Sequence, residues 1–251
     1  ILDHHRAVAA SDHRSIDLLM AAAAAMPPAR GFAAALRAEP DLAVIAEIKR
    51  RSPSKGELFV GLDPGSVAQA YERGGASCLS VLTDEPHFGG SVADLQAARA
   101  ACSLPVLRKD FTVSERDVLD TRIMGADCVL LIAAALDKNE LQALYALATA
   151  VGLDVLVEIH DEAELEVALQ IDAAIVGVNQ RDLVTFNVDH ERALRMAGVI
   201  PTHVVRVAES GVRDAADAQS LRRAGYDAIL VGESLVTSDD PAAAIGRLRG
   251  R

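Results

Sequence analysis

Short runs rich in Val, Ile, Leu and Ala recur along the chain. They alternate with longer stretches in which Ala and Leu return every three or four residues among Arg, Glu and Asp. The first kind has the length of a buried strand, the second the period of an amphipathic helix. The runs are Ala43–Lys49, Cys78–Thr83, Pro105–Lys109, Asp127–Ile132, Asp154–Ile159, Ala174–Asn179, His203–Glu209 and Ala228–Gly232. Each is followed by an amphipathic segment, such as Glu162 to Leu169 with Leu165, Ala168 and Leu169 on one face. Such alternation predicts a parallel sheet with helical crossovers. Eight units in roughly 210 residues match a closed (β/α)8 barrel. The alternative, an open doubly wound sheet, usually carries a G-x-G-x-x-G turn after its first strand, and none stands there.

Residues 1–42 precede the first run and read as an N-terminal helical extension packed on the barrel, with helices over Ser15–Met26 and Gly31–Arg37 separated by Pro27-Pro28. The whole chain, 1–251, then reads as one barrel domain. The stretch Arg51–Gly65, with Pro53, Gly56, Gly61 and Pro64, reads as a long loop at a strand's C-terminal end, where barrel enzymes keep their lids.

Composition narrows the partners. The 251 residues carry a net charge of −11, which argues against nucleic acid, whose phosphates need clustered Lys and Arg. An anionic substrate would therefore need a local basic site set against the overall field. The longest early apolar run, Leu18–Met26, is too short to span a membrane, and early aspartates spoil a secretory leader. Cys78, Cys102 and Cys128 show neither zinc nor redox spacing and suit a reducing cytoplasm, with Cys78 and Cys128 as core residues. A monomer is the expectation, with an oligomer left open.

Barrel active sites lie at the C-terminal ends of the strands. There the chain places Glu47, Lys49, Lys109, Glu158, Asn179, Glu209 and the Gly232 turn. Period 2 puts Ile45, Glu47 and Lys49 on one face of the first strand and Val44, Ala46 and Ile48 on the other. A Glu–Lys pair there could be structural, but Lys109 and Glu158 repeat the pattern. The chain has only four lysines against 21 arginines, and three of them, Lys49, Lys55 and Lys109, fall at or just past strand ends. Lysine, unlike arginine, can give up its proton near neutrality. Arg108 and partial burial are expected to lower the Lys109 pKa. A metal reading of Glu158 with His160 is the lesser alternative, and the other histidines show no ligand spacing. Glu209-Ser210-Gly211 and Gly232-Glu233-Ser234 end the last two strands, where barrel enzymes often bind phosphate.

The stretch Ala46-Glu47-Ile48-Lys49-Arg50-Arg51-Ser52-Pro53-Ser54-Lys55-Gly56 resembles the signature of the indole-3-glycerol-phosphate synthases. The resemblance continues, in order, through Phe88-Gly89-Gly90-Ser91, Leu107-Arg108-Lys109-Asp110-Phe111, Leu156-Val157-Glu158-Ile159-His160, Asn179-Gln180-Arg181-Asp182-Leu183, Ala208-Glu209-Ser210-Gly211 and Leu230-Val231-Gly232-Glu233-Ser234. It implies a (β/α)8 barrel without a cofactor, acting on the anionic phosphosugar 1-(2-carboxyphenylamino)-1-deoxyribulose 5-phosphate to give indole-3-glycerol phosphate, CO2 and water. By that resemblance Lys109 is the general acid, Glu158 stabilises a cationic intermediate or takes a proton, and Lys49 with Glu47 assists dehydration. Asn179 and Glu209 hold sugar hydroxyls, and Arg181 contacts substrate. Ser52, Ser210, Gly211, Gly232 and the Glu233 N–H cradle phosphate, and Phe88, Phe111, Leu130 and Leu183 wall the aromatic ring. Two other readings stay open. The preceding isomerase of the pathway uses a Cys at the end of strand one, where Glu47 and Lys49 stand here. A non-catalytic phosphosugar-binding barrel would drift at Lys109 and Glu158.

Overall fold

The computed structural model describes residues 1–53, 55–59, 61–182 and 187–250. Eight parallel strands close into a barrel in which every strand lies beside its sequence neighbours and the last pairs with the first. They are β1 (Ala43–Ile48), β2 (Cys78–Leu82), β3 (Val106–Lys109), β4 (Cys128–Ile132), β5 (Asp154–Ile159), β6 (Ile175–Asn179), β7 (Val205–Glu209) and β8 (Ala228–Val231). Each matches a run named from the pattern to within a residue or two. Closure rests on the register Ala43↔Ala228 to Ala46↔Val231. Because side chains alternate, Val44, Ala46 and Ile48 pack outward under the helices, while Ala43 and Ile45 fill the lumen.

Three helices precede β1: α1 (Leu2–Ser11), α2 (Ile16–Ala24) and α3 (Phe32–Ala38). The pattern anticipates the second and third. Ser15 caps α2, and Gly31 opens α3 at φ 74, a left-handed conformation that suits glycine. The pattern misses α1, which buries no residue of its own. Phe32, Ala33 and Leu36 of α3 plug the N-terminal end of the lumen. Asp127 and Asp154 hold that plug by accepting the Arg30 and Ala33 backbone N–H groups at 2.7 and 2.8 Å. At the opposite end α1 reaches the mouth: His5 Nε2 lies 3.0 Å from Asp84, and Arg6 bonds Glu140 at 2.9 Å.

The segment read as one long loop holds a short antiparallel ladder, Arg51–Ser52 against Gly56–Glu57. Gly56, at φ 71, supplies the reversal. Arg50 ties its base down through Asp94 and the Leu62 carbonyl, and Arg51 bonds the Glu85 and Pro86 carbonyls. The next helix, α4 (Pro64–Gly74), begins with Asp63 as its cap.

Candidate active site

A cavity of about 1010 Å³ opens at the C-terminal ends of the strands. Its lining includes Glu47, Lys49, Ser52, Phe88, Lys109, Phe111, Leu130, Glu158, Asn179, Arg181, Glu209, Ser210, Gly211, Gly232 and Glu233. Leu183, named for the ring wall, and Ser54 of the first motif lie outside the described residues.

At the floor of this cavity the Lys109 ammonium donates to Glu158 Oε2 at 2.9 Å and stands 3.3 Å from Glu209 Oε2. Asn179 Nδ2 holds the other Glu158 oxygen at 3.0 Å. On β1, Lys49 Nζ pairs with Glu47 Oε1 at 2.5 Å. Glu47, Glu158 and Glu209 are nearly inaccessible to solvent. Burial of this many charges requires mutual pairing.

The electrostatics overturn one expectation. Burial alone would lower the Lys109 pKa, but the carboxylates of Glu158, Glu209 and Glu47 outweigh it and hold that pKa above its ordinary value. Arg108 does not face Lys109. Alternation turns it to the outer side of β3, where it binds Thr83, Asp110, Thr121 and the Asp117 carbonyl. Glu158 is also desolvated, yet Lys109, His160 and Asn179 keep its pKa below the usual value. Glu209 goes the other way: burial beside Glu158 pushes it up to about 8, despite Lys109. Neither Glu209 oxygen has a hydrogen bond among the described residues. Two carboxyls around one ammonium thus diverge, Glu158 favoured in its ionised form and Glu209 keeping its proton to higher pH.

His160 sits beside this cluster without entering it. Its backbone N–H and its Nδ1 both meet Glu164 Oε2, at 2.7 and 3.1 Å, and Nε2 is 3.7 Å from Glu158.

Two glycines, Gly177 and Gly232, make room for the glutamates. A Cβ on Gly177 would fall 2.0 Å from Glu209 Oε1, and one on Gly232 would fall 2.4 Å from Glu47 Oε1. Position 177 escapes a sequence reading because its requirement comes from the adjacent strand. Gly232 is needed by Glu47 whatever binds at its backbone. Near the mouth, Ser210 adopts φ 64 and Gly211 φ 74. Gln180, quoted in a motif but given no role, steadies that turn by donating to the Ser210 carbonyl at 2.7 Å. The Ser52 hydroxyl is buried and has no partner among the described residues. Lys55 reaches across to Glu233 Oε1 at 2.5 Å, joining the hairpin segment to the turn after β8.

A closed parallel barrel with paired ammonium and carboxylate groups at its C-terminal mouth has the organisation of a (β/α)8 enzyme. Solved barrels bear the fold out: 3-hexulose-6-phosphate synthase from Salmonella typhimurium superposes with a TM-score of 0.65 at 14% identity over 83% of this chain and 97% of its own. Thiamine phosphate pyrophosphorylase from Pyrococcus furiosus does so at 0.62 and 17%, over 83% and 94%. The sequence profile of the indole-3-glycerol phosphate synthase family matches residues 1–248. Indole-3-glycerol phosphate synthase 2 of Streptomyces coelicolor is 55% identical over 91% of this chain and 88% of its own length. Indole-3-glycerol phosphate synthase of Mycobacterium tuberculosis is 48% identical over 99% and 92%. The chain belongs to the indole-3-glycerol phosphate synthase family, the decarboxylating lyases of tryptophan biosynthesis.

Proposed function

We propose that the Lys109–Glu158–Glu209 cluster and the Glu47–Lys49 pair close the indole ring of 1-(2-carboxyphenylamino)-1-deoxyribulose 5-phosphate. The observation that carries this reading is the convergence of both lysines and all three glutamates on one cavity. In the first step the ring carbon bearing the carboxylate bonds to the ribulose carbonyl carbon, and the carbonyl oxygen takes a proton from the Lys109 ammonium. A raised Lys109 pKa does not oppose this, because the developing alkoxide is more basic than an amine. The carboxylate then leaves as CO2, and its electron pair restores the aromatic ring. The hydroxyl finally departs as water with a proton from Lys49, assisted by Glu47, and Glu158 stabilises the cation left behind or takes its proton.

Binding follows the shape of the cavity. Phe88, Phe111 and Leu130 form the wall for the aromatic ring. Asn179, Arg181 and Glu209 face the sugar portion, and a protonated Glu209 can donate to a hydroxyl where a carboxylate could only accept. Phosphate is held by Ser52, whose buried hydroxyl has no partner among the described residues, and by the backbone at Ser210, Gly211, Gly232 and Glu233. Lys55, now paired with Glu233, is close enough to this turn to change partners when a dianion arrives.

Residues 1–251 act in this reading as one barrel unit, with 1–42 as its helical extension. Its setting is the cytoplasm, which three unpaired cysteines suit, and no described helix is long and apolar enough to cross a membrane.

Mixing the purified protein with this substrate and following indole fluorescence tests the activity. Product formation by the wild type, abolished in Lys109→Met, is the expected result. An inactive wild type, or an active Lys109→Met, overturns the assignment.

A further inference from the structure

Outside the catalytic cluster, histidines from distant parts of the chain converge on one carboxylate. Spacing along the sequence gave no hint of ligation among them, because His5 belongs to α1 and His87 to the short helix α5 (Glu85–Phe88), whose cap is Asp84. The Asp84 side chain is wholly inaccessible to solvent. Its Oδ2 lies 3.0 Å from His5 Nε2 and 3.0 Å from His87 Nδ1. The donor atoms of all three residues fall within 4.8 Å of one another. His4 stands beside them, its ring centroid 5.6 Å from that of His5 and 6.1 Å from that of His87.

We propose that His5 Nε2, His87 Nδ1 and an Asp84 carboxylate oxygen form a binding site for a divalent transition-metal ion of the zinc class. Two imidazoles and one carboxylate are a ligand set such ions favour over calcium or magnesium, which prefer oxygen alone. Bonds of about 2.0–2.2 Å leave neighbouring ligand atoms roughly 3–3.5 Å apart, so the observed spacings need little adjustment. The rings are also held in place. His5 packs on Phe111 with centroids 5.2 Å apart, and Asp84 is fixed by accepting the His87 backbone N–H at 2.8 Å. Asp110, whose Oδ1 lies 4.0 Å from His5 Nε2, is already engaged by Arg108, Thr83 and the Phe111 N–H. Solvent or the exposed His4 completes the coordination.

The position gives the ion a mechanical consequence. Ile1, Leu2 and Asp84 line the catalytic cavity, so a metal bridging α1 to the segment after β2 pins the start of the chain to the rim of the mouth. The ion takes no part in the ring closure, and the site stands independently of the activity proposed above.

The test uses protein without a polyhistidine tag, stripped with a chelator and titrated with Co2+ or Zn2+. The expected result is one Co2+ per chain with visible ligand-field absorption, displaced by Zn2+, and a melting temperature that rises with Zn2+. Loss of a supporting group around a metal ligand already costs 10–100-fold in affinity, so loss of a ligand in His5→Gln or His87→Gln weakens binding at least about a hundredfold. His13→Gln, an exposed histidine elsewhere, leaves binding unchanged. Circular dichroism checks that each variant is folded. No stoichiometric binding by the wild type, or unchanged affinity in the folded double variant His5→Gln/His87→Gln, overturns the site and leaves the cluster as a hydrogen-bonded contact.

Discussion

The two ends of the barrel lumen are built from the same strands and have opposite chemistry. Along the inward face of β1 the side chains run Ala43, Ile45, Glu47; along β3 Leu107, Lys109; along β5 Leu156, Glu158; along β7 Val205, Val207, Glu209. Each stripe is apolar at the floor and charged at the mouth. The floor is sealed by Phe32 and Leu36, and its carboxylates, Asp127 and Asp154, hold the backbone of the plug. The mouth buries carboxylates that are stable only because ammonium groups, an amide and a raised Glu209 pKa compensate them. One end therefore serves stability and the other reactivity, and substitutions should separate the two.

The largest expected effect is at the floor. Phe32→Ala empties the plug and should cost about 3–5 kcal/mol in a urea titration, while kcat of the folded fraction stays within about twofold of wild type. A large fall in kcat at unchanged stability would show that the ends are not separable. At the mouth, Lys109→Arg keeps the charge but cannot give up a proton, so kcat should fall at least roughly a hundredfold with the fold intact by circular dichroism. A loss of less than about tenfold reduces Lys109 to an electrostatic role. Gly177→Ala joins the two effects. Its Cβ would displace the Glu209 carboxyl, costing about 1–3 kcal/mol of stability and about tenfold or more in kcat. Wild-type values for both would mean that Glu209 does not need its present position.

The pH dependence is the most diagnostic of the mouth. The Glu209 pKa is about 8 in the folded chain against an ordinary 4.5. Between these values the folded state binds a proton that the unfolded state has released, so stability falls as pH rises through that window. Below 4.5 both states are protonated, and above about 8 both are ionised, with the full penalty in place. Glu209→Gln should remove this slope, so its stability relative to wild type climbs from pH 4.5 to about 8 and then levels off. A difference that stays flat with pH would place an ionised Glu209 at the mouth.

Legibility followed the range of the interactions. The strands and their polar ends could be read because alternation and a local change from apolar to charged suffice to mark them, and every described residue named for the site lines one cavity. Adjacency misled at Arg108, which is next to Lys109 in sequence but faces outward, so the carboxylates and not the neighbouring cation set the lysine. Helix α1 lacks a buried face and so had no periodic signal. The need for glycine at 177 and the meeting of His5, His87 and Asp84 depend on partners distant along the chain or across strands, which no local pattern records.

The closure of the barrel also has a history in time. β1 is held on one side by β2 and on the other by β8, whose residues are made long after it. At about 5–20 residues per second during synthesis, β1 waits on the order of 10 s or more with one edge unpaired. Its run of Ala, Val and Ile is a sticky edge throughout that interval. Nascent chains arrested before Ala228 should therefore be cut by protease within β1, whereas chains that include β8 should be protected there.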